Sequence, residues 1–246
     1  MMHTRDEYED LRKANARRMA TDRELHTRAV ELLRDAQEYD WIQQTTWLGE
    51  PLLQLPQDMF AFQEIIFRTR PEVIIEVGVA WGGALLFYST LMSILGGGRI
   101  VGIDLYIPDD LRDRLRSFEG LSDRIELING SSTDPDTVAR VRDFVESSDG
   151  VMVNLDSNHA HDHVLQELRI YSDFVGTGHY LICSDTAIED IEVPTHRERP
   201  WGKGNNPRTA LAAFLGEDDR FEVDGAVDRK LLLSSNPGGY LVRKAP

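Results

Sequence analysis

The chain has 246 residues, 41% of them hydrophobic and 28% charged, enough to bury the core of one α/β domain, alone or with a small appendage. Its 42 Asp and Glu against 27 Lys and Arg leave a net charge of −15, which argues against the basic face that nucleic acid or an anionic membrane would need. A single cysteine, Cys183, rules out an intramolecular disulfide and a cysteine-based zinc cluster.

The N-terminus has no apolar signal region. The most apolar run, Ala84 to Leu95, is interrupted by Ser89, Thr90 and Ser93 and is too short for a bilayer. The expectation is a soluble cytoplasmic protein with neither a nucleic-acid nor a membrane partner. Thr21-Asp22-Arg23-Glu24 reads as a capping box, and Leu25, Ala29, Leu32, Leu33 and Ala36 follow at helical spacing. Such a narrow stripe predicts a solvated helix packed lightly on the body or on a neighbouring subunit, and a homo-oligomer is expected. Residues 41 to 58 are aromatic and broken by Gly49, Pro51 and Pro56. Asp58 is expected to cap a helix whose apolar face is Met59, Phe60, Phe62, Ile65, Ile66 and Phe67, stopped by Pro71. Residues 1–58 are therefore assigned as an N-terminal helical extension and active-site cover, and 59–246 as the main domain.

From Val73 the pattern becomes strand-helix alternation. Strands are expected at Val73–Val77, Ile100–Leu105, Ile125–Ile128, Val151–Leu155 and Tyr180–Cys183, with helices between them. This rhythm predicts a mostly parallel sheet covered on both faces. Residues 186–206 have no periodicity and read as a substrate flap, poorly ordered when empty. After Pro207 comes a helix over 208–215. Strand-like pieces follow at 221–223, 230–233 and 240–242, the last two read as a hairpin across Ser234–Gly239.

Chemistry-bearing residues cluster at the expected strand ends. Glu76-Val77-Gly78 with Gly82-Gly83 joins a strand to a helix, where glycines let a ligand approach the backbone and free N–H groups face it. The G-x-x-x-G-G spacing is not that of a dinucleotide fingerprint, and a tight turn alone would explain it too. Asp104 ends the second strand, where a carboxylate can accept the ribose hydroxyls of an adenosine. Gly130-Ser131-Ser132 follows the third strand, as an adenine site or as a helix cap. The fourth strand runs into Asp156-Ser157-Asn158-His159-Ala160-His161-Asp162-His163. His159 and His163 are spaced to share a metal on a helix, but His161 to His163 read more simply as a solvent-facing first turn. Asp156 and Asp185 end neighbouring strands about 4.8 Å apart and should converge. Two facing carboxylates repel unless a cation or proton sits between them, and a hard ion such as Mg²⁺ takes oxygen ligands of this kind.

Trp47-Leu48-Gly49 with Pro51 and Gln54-Leu55-Pro56-Gln57-Asp58, then Arg70-Pro71 before Ile74-Ile75-Glu76-Val77-Gly78, then Asp156-Ser157-Asn158-His159, resemble the rhamnosyl O-methyltransferase and cephalosporin hydroxylase family over roughly residues 41–243. The resemblance implies a Rossmann-like class I methyltransferase fold: a mostly parallel seven-stranded sheet with an antiparallel C-terminal hairpin and the N-terminal helical extension. It implies S-adenosylmethionine as methyl donor, contacted by Glu76, Gly78, Gly82, Asp104 and Ser132, and often Mg²⁺. It makes Asp156 a metal ligand and His159 the base. The acidic pair expected after the fifth strand reads Ser184-Asp185, one carboxylate short, and Trp81 and Ala84 stand where relatives often carry His and Ser.

An O-methyltransferase acting on a sugar or natural-product hydroxyl is the first expectation. A nicotinamide-dependent reductase is disfavoured by the glycine spacing and the lack of a Tyr-x-x-x-Lys pair. A non-catalytic adenosine-cofactor-binding partner subunit is the alternative. Arg197, Arg199, Lys203 and Arg208 against Glu198 point to an anionic acceptor such as a nucleotide-linked sugar, or to solvated loop charges, and Trp201 could stack on a ring.

Overall fold

The computed structural model describes residues 4–146, 148–191 and 199–245. Among these, α1 (Arg5–Ala20) and α2 (Arg23–Ala36) come first. The capping box forms at Thr4 and Glu7, not at Thr21 and Glu24. Thr21 closes α1, its N–H and hydroxyl both turned back to the Arg18 carbonyl, so Asp22 takes over as the cap of α2 by accepting from Leu25 N. Ala29 is the one buried residue of these two helices, while Tyr8, Leu11 and Leu32 stand exposed.

Two 3-10 turns over 37–44 lead into a small hairpin, β1 (Thr46–Trp47) and β2 (Glu50–Pro51). Leu48 and Gly49 both take positive φ at its tip, as a two-residue turn between right-twisted strands requires. Next is α3 (Pro56–Thr69), with proline in its first turn. Asp58 is therefore not a cap. It lies inside α3, fully buried, accepting from Ser234 Oγ (2.5 Å), Ser235 N (2.7 Å) and Tyr240 OH (2.7 Å). The boundary expected at residue 58 also falls within this helix. The apolar face is narrower than expected: Met59, Phe62, Ile65 and Ile66 are buried, whereas Phe60 and Phe67 are exposed and Arg70 covers the Phe67 ring.

The main body runs β3 (Val73–Val77), α4 (Gly83–Leu95), β4 (Arg99–Asp104), α5 (Asp109–Arg116), β5 (Ile125–Asn129), α6 (Pro135–Val145), β6 (Val151–Leu155), α7 (His161–Tyr171), β7 (Tyr180–Cys183), α8 (Pro207–Glu217), β8 (Phe221–Val223), α9 (Gly225–Asp228) and β9 (Tyr240–Arg243). The seven main strands lie in the order β5-β4-β3-β6-β7-β9-β8. The first five are parallel, and β9 is antiparallel to both of its neighbours. This is the fold expected. The strand expected over 230–233 does not form, because β7 and β8 already occupy both edges of β9; the hairpin partner of β9 is β8.

Alternate residues of the strands feed two cores. Val141, Leu168, Tyr171, Leu211 and Phe214 cover one face, from α6, α7 and α8. Phe62, Ile66, Leu85, Leu86, Met92 and Leu111 cover the other, from α3, α4 and α5. The edge-on contact of Trp47 with Phe87 (5.0 Å) and the bond from its Nε1 to Thr90 Oγ1 (3.1 Å) seat the β1–β2 hairpin on α4. Strand order reverses between β3 and β6, and at such a point an open sheet leaves a crevice beyond its carboxyl ends. No helix among the described residues is long and apolar enough to cross a membrane.

Candidate functional site

Parallel pairing of Leu155 with Cys183 carries Asp156 and Asp185 off the same edge of β6 and β7. The Asp156 N–H donates to the Val77 carbonyl (2.7 Å), and the Asp185 N–H to Asn236 Oδ1 (2.9 Å). Asp185 adopts left-handed backbone (φ 58), a conformation Asp tolerates better than most residues, and so turns out of its strand line. His159 lies in the loop before α7. One ligand atom each of Asp156, His159 and Asp185 falls within 4.8 Å of the others. His159 Nε2 is 3.5 Å from Asp185 Oδ2, and its ring meets Trp201 edge-on at 5.0 Å. Gln54, just before α3, donates from Nε2 to Asp156 Oδ2 (2.6 Å).

Burial first, and the Asp185 charge second, push the Asp156 carboxyl up to about 7; the Gln54 bond opposes this. Burial, then the Asp58 charge below, push Asp185 up to about 6. Burial lowers His159, outweighing the pull of Asp156 in the other direction, so its contact with Asp185 is that of a neutral ring. Without a cation the pair therefore keeps a proton up to about pH 7, and a cation between the two carboxylates would favour the form in which both are charged. Two carboxylate oxygens suit a hard divalent ion that keeps open positions for other oxygens. This donor set fits Mg²⁺, and it leaves the imidazole free for another task.

Ser184, where the resemblance expected an acid, is 1% exposed and donates to Asn154 Oδ1 (3.0 Å). Asn154 Nδ2 in turn donates to Glu76 Oε1 (3.1 Å), and Tyr88 OH to Glu76 Oε2 (3.1 Å). Glu76, expected at the donor site, is 2% exposed. It alternates with Ile75 and Val77, so its side chain points into the layer under α4 and not up at the strand edge. Burial and the nearby Asp156 push its carboxyl well up.

Gly78, Gly82, Asp104 and Ser132 do lie at or beyond the carboxyl ends of β3, β4 and β5. Gly78 has φ +103, and a Cβ there would collide with the Asp156 carbonyl; Gly82 caps α4 in left-handed conformation. Gly83 matters as well: a Cβ on it would strike the Pro51 carbonyl, so the hairpin could not cross the start of α4. Asp104 accepts from Val79 N (2.9 Å), Ala80 N (3.2 Å) and Tyr106 N (3.2 Å). These three bonds leave one of a carboxylate's roughly four lone-pair positions for a further donor. The Ser132 hydroxyl bonds Glu167 Oε1 and His163 Nε2. Asp134, not Ser131 or Ser132, caps α6.

His159 precedes α7, so it forms no helical pair with His163. His161 to His163 do form the first turn of α7 with Asp162 exposed, but the two histidines are only partly solvated: the His161 ring meets Thr209 Oγ1, and His163 meets Glu167. Of the flap expected over 186–206, residues 192–198, with Arg197 and Glu198, lie outside the described residues. Thr186–Glu189 is a 3-10 turn and Gly202 bridges Asn205. Arg208 pairs with Asp190 (2.7 Å), which answers part of the basic surplus there. Beside Asp185 a cavity of about 150 Å³ is lined by residues of α2, the 3-10 turns after it, and Ala187, Ile188, Ile191, Arg199 and Trp201. Gln54 opens the Gln54–Asp58 run that carries the resemblance, but its contact with Asp156, like this wall, depends on residues distant in sequence.

The chain matches the Rhamnosyl O-methyltransferase/CmcI family over residues 39–244. A rhamnosyl O-methyltransferase of Mycobacterium leprae is 29% identical over 204 residues, covering 81% of this chain and 83% of the relative. A solved CmcI structure with Mg and SAM overlays with a TM-score of 0.58 at 22% identity, covering 82% of this chain and 78% of that one. The O-methyltransferase TomG of Streptomyces achromogenes, solved with SAM, overlays with a TM-score of 0.51 at 13% identity over 92% of both chains. With the family matched over most of its length, this chain belongs to the rhamnosyl O-methyltransferase/CmcI family of S-adenosylmethionine-dependent O-methyltransferases.

Proposed function

We propose that the protein moves the methyl group of S-adenosylmethionine to one hydroxyl of a sugar or natural-product scaffold, with help from a divalent cation. The convergence of Asp156, His159 and Asp185 at the edge of β6 and β7, next to the β3–β4 crevice, carries this reading. The names of the relatives and the Mg and SAM in the solved CmcI structure support it.

The donor would lie over the ends of β3 to β5, with Gly78 and Gly82 near its amino-acid end, Asp104 at the ribose and the Ser132 turn towards the adenine. Asp156 and Asp185 would hold the cation, which when bound supplies Lewis-acid polarisation of acceptor oxygens. His159, kept neutral by burial, takes the hydroxyl proton on its ring nitrogen. The methyl carbon passes from sulfur, which keeps the bonding pair, to the acceptor oxygen. Fixed positions of donor and acceptor supply much of the acceleration. A homo-oligomer would cover Tyr8, Leu11 and Leu32 on α1 and α2.

The test is methyl transfer from labelled donor to a panel of hydroxylated acceptors, with Mg²⁺ or with chelator, and with no second protein present. Transfer that Mg²⁺ stimulates supports the reading. Donor binding without any transfer until a partner protein is added would instead make this chain a partner subunit.

A further inference from the structure

Helix α7 buries Val164, Glu167, Leu168 and Tyr171, and Glu167 is the acid in that stripe, 0% exposed. A carboxyl buried in this way is costly unless it is bonded. Glu167 Oε1 accepts from Ser132 Oγ and from Ser157 Oγ (2.6 Å), and His163 Nε2 lies 3.1 Å from the same oxygen. The two serines belong to different turns. Ser132 follows β5, on the side proposed for the adenine. Ser157 follows β6, next in sequence to Asp156, and its Cα lies 3.0 Å from where a Cβ on Gly78 would stand. His163 and Tyr171, one helical turn either side of Glu167, also hold the Ser132 turn. The His163 ring meets Ser132 Oγ (3.2 Å), and the Tyr171 phenol donates to the Ser132 carbonyl (2.9 Å). Of these three residues of α7, Glu167 is the one that also bonds Ser157.

We infer that Glu167 is a positioning residue that fixes the Asp156 turn relative to the donor turn, so that the cation and S-adenosylmethionine bind cooperatively. The inference rests on the methyltransferase reading and extends it to a residue outside the Asp156–His159–Asp185 cluster. Packing alone does not call for an acid here, since leucine would fill the stripe beside Val164 and Leu168 without burying a carboxyl. Ser157 is exposed while Glu167 is buried, so their bond ties a surface turn to the core. A donor seated on the Ser132 turn holds Glu167 in place, and Glu167 then holds Ser157 with Asp156 beside it. Ordering done for one ligand need not be done again for the other, which makes their binding cooperative. Such coupling is reciprocal, so the cation must tighten the donor by the same factor. The reaction needs this register, because the methyl carbon and the acceptor oxygen must meet in line and small misplacements slow the transfer.

The test uses the full chain with Mg²⁺ and S-adenosylhomocysteine as probes, so no acceptor is needed. Calorimetry gives the Kd of each probe alone and with the other present. In the wild type each should tighten the other about fivefold or more, the lower end of typical coupling between sites. Ser157→Ala removes the bond to the Asp156 turn at an exposed position and should bring that factor close to one. Glu167→Leu removes the bonds to both turns and should do the same; if it fails to fold, Ser157→Ala decides alone. Glu167→Gln keeps an oxygen at Oε1 for the two serines and puts its amide nitrogen at Oε2, which is buried with no hydrogen-bond partner among the described residues, so the coupling should survive. A residue that only packs would change melting temperature and the separate Kd values and leave the factor where it was. Three results overturn the inference while the methyltransferase reading stands: no coupling in the wild type, coupling kept in Ser157→Ala, or coupling lost as fully in Glu167→Gln as in Glu167→Leu. A wild-type chain that does not bind S-adenosylhomocysteine overturns that reading, and the inference with it.

Discussion

Gln54 and Asp156 are 102 residues apart in sequence and joined by a 2.6 Å hydrogen bond from amide to carboxylate. The bond ties the N-terminal extension to the end of β6, and it opposes the burial that pushes Asp156 towards its neutral form. Gln54→Ala should therefore raise the Asp156 pKa further and weaken Mg²⁺ binding at neutral pH. A lost hydrogen bond to a charged group is worth about 1.5–3 kcal/mol, or roughly 10- to 150-fold in affinity. Calorimetric titration with Mg²⁺ checks it; an unchanged affinity would make Gln54 a packing residue.

The main fold was legible because its signals are local. Each parallel strand is a run of apolar residues buried on both faces, and each ends where the chain must turn, which placed Asp156 and Asp185 together in advance. Features set by distant partners were not legible. Asp58 resembled a cap until Ser234, Ser235 and Tyr240 were found around it. Leu231 to Leu233 have strand composition, but β9, the partner expected for them, already pairs with β7 and β8. Glu76 sits at the right motif position, yet strand alternation, which was available in the sequence, turns it inward beneath α4.

His159→Ala should lower turnover by about 10²- to 10⁴-fold, the usual contribution of a general base, while S-adenosylmethionine affinity stays within twofold of wild type, a margin of about 0.4 kcal/mol. His159→Gln should be as slow, since an amide can fill the space next to Trp201 but cannot take a proton. Single-turnover rates together with donor calorimetry separate the two effects. Turnover within tenfold of wild type in both variants would move the base elsewhere.

The acidic pair makes both stability and metal affinity depend on pH. In the unfolded chain Asp156 and Asp185 titrate near the ordinary ~4; folded and without a cation they titrate at about 7 and about 6. Raised folded values mean that the folded state holds protons the unfolded state has released. Their stabilising contribution is complete below pH ~4 and is lost as pH rises through about 7. From this pair alone, the chelated protein should lose melting temperature between pH 5 and pH 8. Mg²⁺ must displace the proton, so it should bind more tightly at pH 8 than at pH 6 and raise the melting temperature more there. A Mg²⁺-induced shift that is the same at both pH values would exclude these carboxylates as its ligands.

Asp104 already holds the β3–α4 loop through Val79 and Ala80, so it has two duties. Asp104→Ala should weaken S-adenosylmethionine binding by about 1–3 kcal/mol, through the lost ribose contact and through a loosened loop. Asp104→Asn keeps a side-chain oxygen for the loop amides but removes the charge, and should fall between alanine and wild type. Calorimetry on both variants checks the order. Equal affinity in all three proteins would remove Asp104 from the donor site.

Ser184 is where a third carboxylate would complete the cation site, and its hydroxyl is spent on Asn154. Asn154 is also bonded to Glu76, so Ser184, Asn154 and Glu76 form one buried row under Asp156. Ser184→Glu would place a new acid against this row. Without a cation the added charge has no partner in a site where Asp156 and Asp185 already resist ionisation, and breaking the bond to Asn154 leaves a buried acceptor unsatisfied. The chelated variant should therefore be less stable, by about 3 kcal/mol or more, the scale of an uncompensated buried charge. With Mg²⁺ the same carboxylate becomes a ligand, so Mg²⁺ affinity should rise and most of the lost stability should return. Ser184→Ala removes the hydroxyl without adding charge and should lower stability by about 1 kcal/mol while leaving Mg²⁺ affinity near wild type. Melting temperatures of the three proteins, with and without Mg²⁺ at pH 8, decide the matter. If Ser184→Glu is equally destabilised with and without Mg²⁺, the ion does not sit between Asp156 and Asp185 within reach of residue 184.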